Sequence, residues 1–397
     1  MISRLALVLS LLLLAALPAA ADAATVRKGP SGTAFYKPPS PLPGKGHGGL
    51  IWARKLTGTA ALKGGAGNRL VLYRSTGVDG KPVAVSGTVS IPKGKAPKGG
   101  WPVITWGHGT TKIADACAPS RDSASNPAHT LISYAYPLLQ RWLKAGYAVV
   151  RTDYEGLGTP GDHPYLIGRS EGYSMLDMVR AARKLDKRLG RRVIIAGHSQ
   201  GGQSALFAAS LAPKWTPELK VRGTVALAPV SHLAAQLPAL KALTQPGGLS
   251  GLAAMILRGI DAAAPQLGVS AGLTERATAL YPQTLTKCLP QLNAAEAFGS
   301  VAPAELLRSD VDTAPIAAAL AQPADPDALK IRTPLQIQQG ETDATVFKAF
   351  TDQLAAGYSA GVKKLTYKTY PGVDHGGIVT KAKPARDATS YIRSRLR

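Results

Sequence analysis

Residues 192–202, which read Arg-Val-Ile-Ile-Ala-Gly-His-Ser-Gln-Gly-Gly, decide the fold of this chain. A β-branched run ends in a G-x-S-x-G string, and a segment rich in Ala, Ser and Leu follows it. This pattern predicts a strand, a sharp turn and a helix, with Ser199 at the apex of the turn. Glycines are needed around such an apex, because neighbouring backbones pass too close for larger side chains. We therefore interpret Ser199 as a nucleophile, the alternative being a plain packed turn.

A second G-x-S-x-G string lies at residues 268–272, so the string alone is a weak signal. The residues before it, 261–265, read Asp-Ala-Ala-Ala-Pro, and no strand pattern leads into it. The strand-turn-helix context therefore favours Ser199 over Ser270.

Strand and helix patterns alternate on both sides of Ser199, which predicts β-α-β units in one doubly wound, mostly parallel sheet. The predicted strands cover residues 70–73, 83–91, 102–106, 147–153, 193–196, 223–227, 334–338 and 365–370. The predicted helices cover residues 131–144, 174–189, 200–211, 347–360 and 385–396. The sequence thus predicts the α/β class.

The alternation stops between residues 231 and 330, where the sequence is rich in Ala, Leu and Pro and helical in character. This interruption predicts a helical cap inserted into the α/β core. The predicted domains are a signal peptide (1–23), an N-terminal extension (24–66), the core (67–230 and 331–397) and the cap (231–330).

The first residues have the pattern of a secretory signal peptide. Arg4 is followed by an apolar run, 5–14, and by small residues that allow cleavage near Ala21 or Ala23. The alternative is an N-terminal membrane anchor. No second apolar stretch of about 20 residues occurs, so we expect a secreted chain without a transmembrane segment after cleavage.

Composition bounds the class of protein and its partners. The chain has 397 residues, 45% of them apolar, with 42 Gly and 30 Pro in no fixed period, which disfavours collagen, coiled coil and disorder. Its net charge of +23 favours anionic partners such as acidic lipid or polymer surfaces. Nucleic acid is not expected, because reader motifs and interleaved aromatic residues are absent from the sequence. The basic run 180–192 is predicted to be a solvated helix face, with attraction to an anionic surface or a fatty-acid product as the alternative.

A serine nucleophile needs a histidine that takes its proton and a carboxylate that orients the histidine. After a nucleophile of this kind the acid and then the histidine follow in the chain. His375 is the candidate base, because its Gly-rich loop follows the last predicted strand. Asp343 is the preferred acid, after the strand 334–338, while Glu341 and Asp374 are the less favoured carboxylates. A helix N-cap is the alternative role for Asp343.

The oxyanion of the reaction needs two backbone N–H donors. Gln200, the residue after the nucleophile, supplies one, and Thr110 is preferred over Thr111 for the other. His108, in the same loop, is expected to bond loop backbone. The sequence contains no metal-binding motif and no phosphate loop, so neither a metal nor another cofactor is expected.

These motifs together resemble the family of secretory lipases of the lipase A type. The matching stretches, in family order, are 109–111 (Gly-Thr-Thr), 117–120 (Cys-Ala-Pro-Ser), 153–158 (Asp-Tyr-Glu-Gly-Leu-Gly), 197–202, and the loops of Asp343 and His375. The resemblance implies an α/β-hydrolase core, a helical cap before the acid-bearing strand, and hydrolysis or transfer of the acyl groups of carboxylic esters. Cleavage of polyesters stays open. The resemblance also implies a disulfide from Cys117 into the cap at Cys288, in agreement with export, because a lone cysteine pair in a secreted protein is usually bridged.

Two questions about function stay open at this level. The cap segment 249–257 is predicted either to line an acyl-chain site or to form an ordinary cap core. Besides a lipase or esterase acting on ester or lipid substrates, the same triad would suit a serine peptidase of the prolyl oligopeptidase type. A non-catalytic binding protein on a hydrolase scaffold is the third possibility.

Overall fold

A computed structural model describes residues 26–362 and 364–397, so the predicted signal peptide lies outside the described residues. Within these residues, nine strands form one sheet in the order β1-β2-β3-β5-β4-β6-β7-β8-β9. The strands are β1 (Gly49–Lys55), β2 (Gly67–Thr76), β3 (Pro82–Ile91), β4 (Trp101–Gly107), β5 (Ala148–Thr152), β6 (Leu189–His198), β7 (Lys220–Leu227), β8 (Leu335–Gly340) and β9 (Leu365–Tyr370).

Twelve α-helices accompany these strands in the described part of the chain. They are α1 (His129–Ser133), α2 (Tyr136–Lys144), α3 (Gly168–Leu185), α4 (Gln200–Trp215), α5 (Leu233–Leu240), α6 (Gly248–Ala263), α7 (Glu275–Leu280), α8 (Leu289–Leu292), α9 (Ala314–Ala321), α10 (Lys348–Ser359), α11 (Gly377–Thr380) and α12 (Ala382–Leu396).

Strands β4 to β9 run parallel to one another, whereas β1, β2 and β3 are joined by antiparallel pairing. We call the end at which β4 to β9 begin the amino edge of the sheet, and the end at which they finish the carboxyl edge. Ligand sites of open α/β sheets lie at the carboxyl edge. The predicted α/β fold class is confirmed.

Side chains that alternate along the inner strands build a core on each face of the sheet. In β6, Val193 and Ile195 pack with α3 and α4 on one face, whereas Ile194 and Ala196 pack with α2 and α12 on the other. This follows from the two-residue period of a strand, whose successive side chains point to opposite faces. Both faces are apolar, as expected for a central parallel strand.

The structure departs from the predicted elements in two helices and one added strand. The predicted helix 174–189 is α3, which begins at Gly168 and ends at Leu185, because β6 begins at Leu189. The predicted helix 131–144 is two helices, because α2 begins with Pro137 in its first turn, and proline lacks the N–H that a continuous helix would need there. Strand β1 was not predicted, since it lies in the Pro- and Gly-rich N-terminal extension. It pairs antiparallel with β2 and forms the edge of the sheet.

The segment between β7 and β8 contains helices α5 to α9 and has an apolar core of its own. A disulfide joins Cys117, after β4, to Cys288 in this segment, as predicted. In the chain-entropy model a bridge across 171 residues stabilises the fold by roughly 5 kcal/mol at most. No single described helix is long and apolar enough to cross a bilayer. The helices Gly248–Ala263 and Pro265–Gly272 have that length and apolar composition only when taken together, and a bend of 110° separates them.

Candidate active site

The turn between β6 and α4 holds Ser199 in the conformation that the sequence predicts. Ser199 has φ 58° and ψ −120°, a strained combination for a residue with a side chain. Gly197 and Gly201 are required beside it, because a Cβ at either position would lie 2.0 Å from a backbone oxygen. Ser270 of the second string lies instead on an exposed 3-10 turn, Val269–Gly272.

His375 and Asp343 come together at the carboxyl edge, after β9 and β8 respectively. The Nδ1–H of His375 donates to Asp343 Oδ2 at 2.7 Å. Burial alone would raise the pKa of Asp343, but hydrogen bonds from His375 and from the backbone amides of Val346 and Thr345 outweigh it and lower this pKa. The carboxylate is therefore ionised at neutral pH and can hold the histidine in one tautomer.

In the described structure, neither of the other two candidate carboxylates is hydrogen bonded to the His375 ring. Glu341 accepts a hydrogen bond from the Thr369 hydroxyl at 2.8 Å on the exposed side of the loop, and Asp374 accepts one from the Gly377 amide at 2.7 Å. Asp343 also accepts from the amides of Thr345 and Val346, both at 2.8 Å. The alternative role of Asp343 as a helix N-cap is wrong, because the N-cap of α10 is Phe347; the two amide bonds stabilise the turn before that helix.

Ser199 and His375 line one cavity, without a hydrogen bond between their side chains in the described structure. His198, for which the sequence pattern predicts no role, holds the loop of His375 in place. Its Nε2–H donates to the His375 carbonyl at 2.9 Å, and its Nδ1 accepts from the Tyr134 hydroxyl at 2.6 Å. Burial, and then the neighbouring His375, hold the pKa of His198 well below its usual range. The ring is therefore neutral, as this pattern of one donor and one acceptor requires.

The predicted oxyanion donors lie on either side of Ser199. Gln200 is the first residue of α4, where a backbone N–H has no acceptor within the helix. Thr110 lines the cavity, and its Oγ1 is 2.7 Å from the Tyr165 hydroxyl. Thr111 is fully buried and is not among the residues lining the cavity, so the position of Thr110 suits the second donor better. His108 contacts loop backbone, with its Nδ1 2.7 Å from the Gly109 carbonyl.

A buried polar network, which the sequence analysis did not find, lies behind Gln200. The Gln200 amide donates to Glu171 Oε1 at 2.8 Å and to His163 Nε2 at 3.0 Å. Glu171 also accepts from the Leu166 amide at 3.0 Å and from the Ser204 hydroxyl. The only sign of this network in the sequence is Glu171 itself, a glutamate in a helix whose neighbouring residues are mostly small or apolar. The network fixes the first turn of α4 and therefore the backbone next to Ser199.

Burial raises the pKa of Glu171 from 4.5 to about 7. In the unfolded chain this carboxyl releases its proton near pH 4.5, whereas the folded protein keeps it until about pH 7. Rising pH therefore favours unfolding between these two values and has no further effect through this group above them.

We expect Glu171→Gln to become more stable than the wild type as pH rises from 5 to 7, by about 3 kcal/mol at the plateau. The glutamine oxygen can keep the bonds from Leu166 and Gln200, and its amide can donate to Ser204. The free energy of unfolding in urea, measured at intervals from pH 5 to 8.5, checks this. Glu275→Gln, at an exposed position in α7, is the matched control. A pH-independent difference between wild type and Glu171→Gln would contradict the expectation.

The cavity has a volume of about 890 Å³ and lies at the carboxyl edge, beneath the inserted helices. One side of α6 contributes Leu249, Leu252, Ala253 and Ile256, which are spaced as one helical face. Met255 and Leu257 of the same helix lie in the core of the insertion. The segment 249–257 thus packs in the core of the insertion and also lines the cavity, while its role as an acyl-chain site stays a prediction.

The inserted segment also holds the loop that carries Thr110. The Lys112 ammonium donates to the Gln283 carbonyl at 3.0 Å, and the Leu289 amide donates to the Thr111 carbonyl at 3.5 Å. The disulfide of Cys117 and Cys288 lies beside these contacts. Three connections thus join this loop to one short stretch of the insertion. Among the described residues, no group of three or more His, Cys, Asp or Glu side chains is arranged to hold a metal ion.

The sheet order, the strained turn at Ser199 and the helical insertion before β8 define the class of α/β-hydrolases. Comparison with known proteins narrows this class. The family model described as secretory lipase matches residues 123–299. The resemblance to the secretory lipase family is therefore confirmed.

Individual relatives are distant. Lipase A of Moesziomyces aphidis is 28% identical over 273 residues, 65% of this chain and 56% of that protein. A probable inactive lipase of Mycobacterium tuberculosis is 27% identical over 203 residues, 50% of this chain and 44% of that protein. The chain thus spans about half the length of these relatives. An X-ray structure of Candida antarctica lipase A has a TM-score of 0.74 at 23% identity, covering 86% of this chain and 80% of that one, which shows a shared fold.

Proposed function

We propose that this chain is a secreted carboxylic ester hydrolase of the lipase and esterase type. Ser199 is its nucleophile, His375 its general base and Asp343 the carboxylate that orients the base. One observation carries the proposal: the hydrogen-bonded pair of His375 and Asp343 shares a cavity with a strained serine at the start of a helix. Secretion is supported by the predicted signal peptide and by the description of the family.

The reaction follows from the roles of these groups. His375 Nε2 takes the proton of the Ser199 hydroxyl as the serine oxygen attacks the ester carbonyl, and Asp343 stabilises the resulting imidazolium. The backbone N–H groups of Gln200 and Thr110 stabilise the oxyanion, assisted by the positive end of α4. The imidazolium returns its proton to the leaving alcohol, and water then repeats the sequence on the acyl-serine.

The lining of the cavity supports an amphiphilic ester as the substrate. Apolar side chains from α5, α6 and the loop after β8 surround the space next to Ser199, which suits an alkyl chain rather than a charged peptide. A volume of about 890 Å³ is at the upper end of the range for small-molecule sites. Relatives described as lipases agree with this substrate class.

A series of p-nitrophenyl esters with acyl chains from acetyl to palmitoyl tests the proposal, with a peptidyl p-nitroanilide as the competing substrate. We expect ester hydrolysis and no measurable amide hydrolysis. Faster cleavage of the anilide would favour the peptidase alternative. No turnover of either substrate class would place the chain with non-catalytic proteins, the alternative that the probable inactive relative supports.

Ile256→Trp should shorten the preferred acyl chain. Ile256 is half-buried on the cavity face of α6, so an indole there fills space next to an alkyl chain. We expect kcat/KM for the palmitoyl ester to fall by about tenfold or more relative to the acetyl ester. Ala262→Trp, on the same helix but outside the cavity lining, is the control and should leave the ratio unchanged. An unchanged ratio in Ile256→Trp would mean that the acyl chain binds elsewhere.

A further inference from the structure

The amino edge of the sheet, opposite the cavity, carries a concentration of positive charge to which the proposed function assigns no role. Five segments meet there: residues 54–69, 91–100, 183–192, 214–222 and 393–397. We call their combined surface the basic face. These segments are rich in Lys and Arg and contain two acidic residues, Asp186 and Glu218.

Both acidic residues are already paired with arginines. Arg188 donates to Asp186 at 2.7 Å, and Arg180 donates to Glu218 through two nitrogens at 2.6 and 2.7 Å. In the described structure the lysine ion pairs lie elsewhere, at Lys81, Lys348 and Lys368. Within the described residues, the exposed lysines of the basic face therefore form no ion pair with a carboxylate; they include Lys93, Lys95, Lys98, Lys184 and Lys187.

Two hollows give this charge a shape. One, of about 490 Å³, is lined by Lys28, Lys55, Arg69 and Arg188 among others. The other, of about 320 Å³, is lined by residues that include Arg183, Lys184 and Lys187. They lie on either side of residues 184–189 at the end of α3, so they form one continuous surface.

The positive groups crowd one another. Burial, and then repulsion from Arg180, lower the pKa of Lys184, and burial with repulsion from Arg191 lowers that of Arg183. An anionic ligand would reduce the repulsion between positive groups that the fold holds close together.

The position of the basic face distinguishes between anionic partners. The cavity opens at the carboxyl edge, so a bilayer bound to the opposite edge would lie on the wrong side of the molecule for lipid to reach Ser199. The anionic groups along a flexible polymer can occupy both hollows of this face at once. Of the aromatic side chains near this face in the described structure, Trp101 is buried, Trp215 is stacked within the protein and Tyr147 is half-buried, so none of the three is a fully exposed platform for nucleic-acid bases.

We propose that the basic face binds an acidic polysaccharide, whose anionic groups occupy the two hollows while the cavity stays open. The binding is electrostatic, so its affinity falls steeply with salt. The proposal does not require ester hydrolysis, and its failure would leave the proposed function untouched.

The test uses the whole protein and heparin as the sulfated polysaccharide, with neutral dextran as the blank. We expect heparin binding at 0.1 M NaCl, and a rise in Kd of about tenfold or more in the triple variant Lys55→Gln/Lys184→Gln/Lys187→Gln. The same three positions changed to Arg should keep the wild-type Kd. The matched control is Lys241→Gln/Lys381→Gln/Lys383→Gln, which removes equal charge from exposed positions outside the basic face and should change Kd by less than about threefold.

Four results would overturn the proposal. The first two are no binding of the wild type to heparin, and a loss of heparin affinity in the control triple as large as in the basic-face triple. The other two are binding of phosphatidylcholine and phosphatidylglycerol vesicles as tight as binding of heparin, and binding of single-stranded DNA of equal charge that is tighter than binding of heparin. Thermal unfolding of each variant shows whether its fold is intact, and the Arg variant separates lost charge from lost packing.

Discussion

Ser199→Ala is expected to lower kcat/KM for p-nitrophenyl esters by about a millionfold, with thermal stability close to that of the wild type. The hydroxyl is the proposed nucleophile, and among the hydroxyl-bearing residues that line the cavity in the described structure, only Ser199 has a positive φ at the start of a helix. The backbone is held by Gly197 and Gly201 rather than by the serine side chain, so the turn should survive the change. The substitution therefore removes the attacking hydroxyl and leaves the cavity intact.

Ser270→Ala provides the matched control, because Ser270 sits in the second G-x-S-x-G string, at an exposed position. We expect it to be as active as the wild type. A Ser199→Ala protein within tenfold of wild-type activity would contradict the assignment of Ser199. So would a large loss in Ser270→Ala.

Asp343→Asn is expected to lower kcat by about ten-thousandfold while preserving the fold. The Asn oxygen can still accept the amides of Thr345 and Val346, which now bond to Oδ1 at 2.8 Å. The Asn amide would replace Oδ2, which accepts from His375 Nδ1 at 2.7 Å. Because Nδ1 of His375 would then face a donor, the ring must carry its proton on Nε2. A protonated Nε2 can no longer accept the proton of Ser199.

Steady-state kinetics at pH 8 measure this effect, with circular dichroism to verify the fold. Glu341→Gln and Asp374→Asn change the two neighbouring carboxylates that are not hydrogen bonded to the His375 ring in the described structure, and each should stay within about threefold of the wild type. A loss below about tenfold in Asp343→Asn, or an equal loss in Glu341→Gln, would contradict the role given to Asp343.

The sequence could predict what local patterns determine. The β-branched run before Ser199 and the small residues after it define a strand and a helix, and the structure has β6 and α4 there. The order of Ser199, Asp343 and His375 along the alternating pattern places all three at the ends of parallel strands. Since such strands finish at one edge, their meeting follows from topology.

Other features depend on contacts between residues that are distant in the chain. Glu171 and Gln200, which hydrogen bond, belong to different helices, and the roles of His163 and His198 depend on partners far away in sequence. The edge strand β1 forms because β2 offers it a partner, not because its own residues have a strong strand pattern. The basic face likewise arises only when loops spread over the chain gather at one edge.

The central claim is that His375 activates Ser199 as a nucleophile, and reaction with a fluorophosphonate tests it most directly. Mass spectrometry of the treated wild-type protein should show one adduct, mapped to Ser199, and His375→Ala should label at least about a hundredfold more slowly. No adduct, an adduct on another residue, or equal labelling rates in the two proteins would contradict the account.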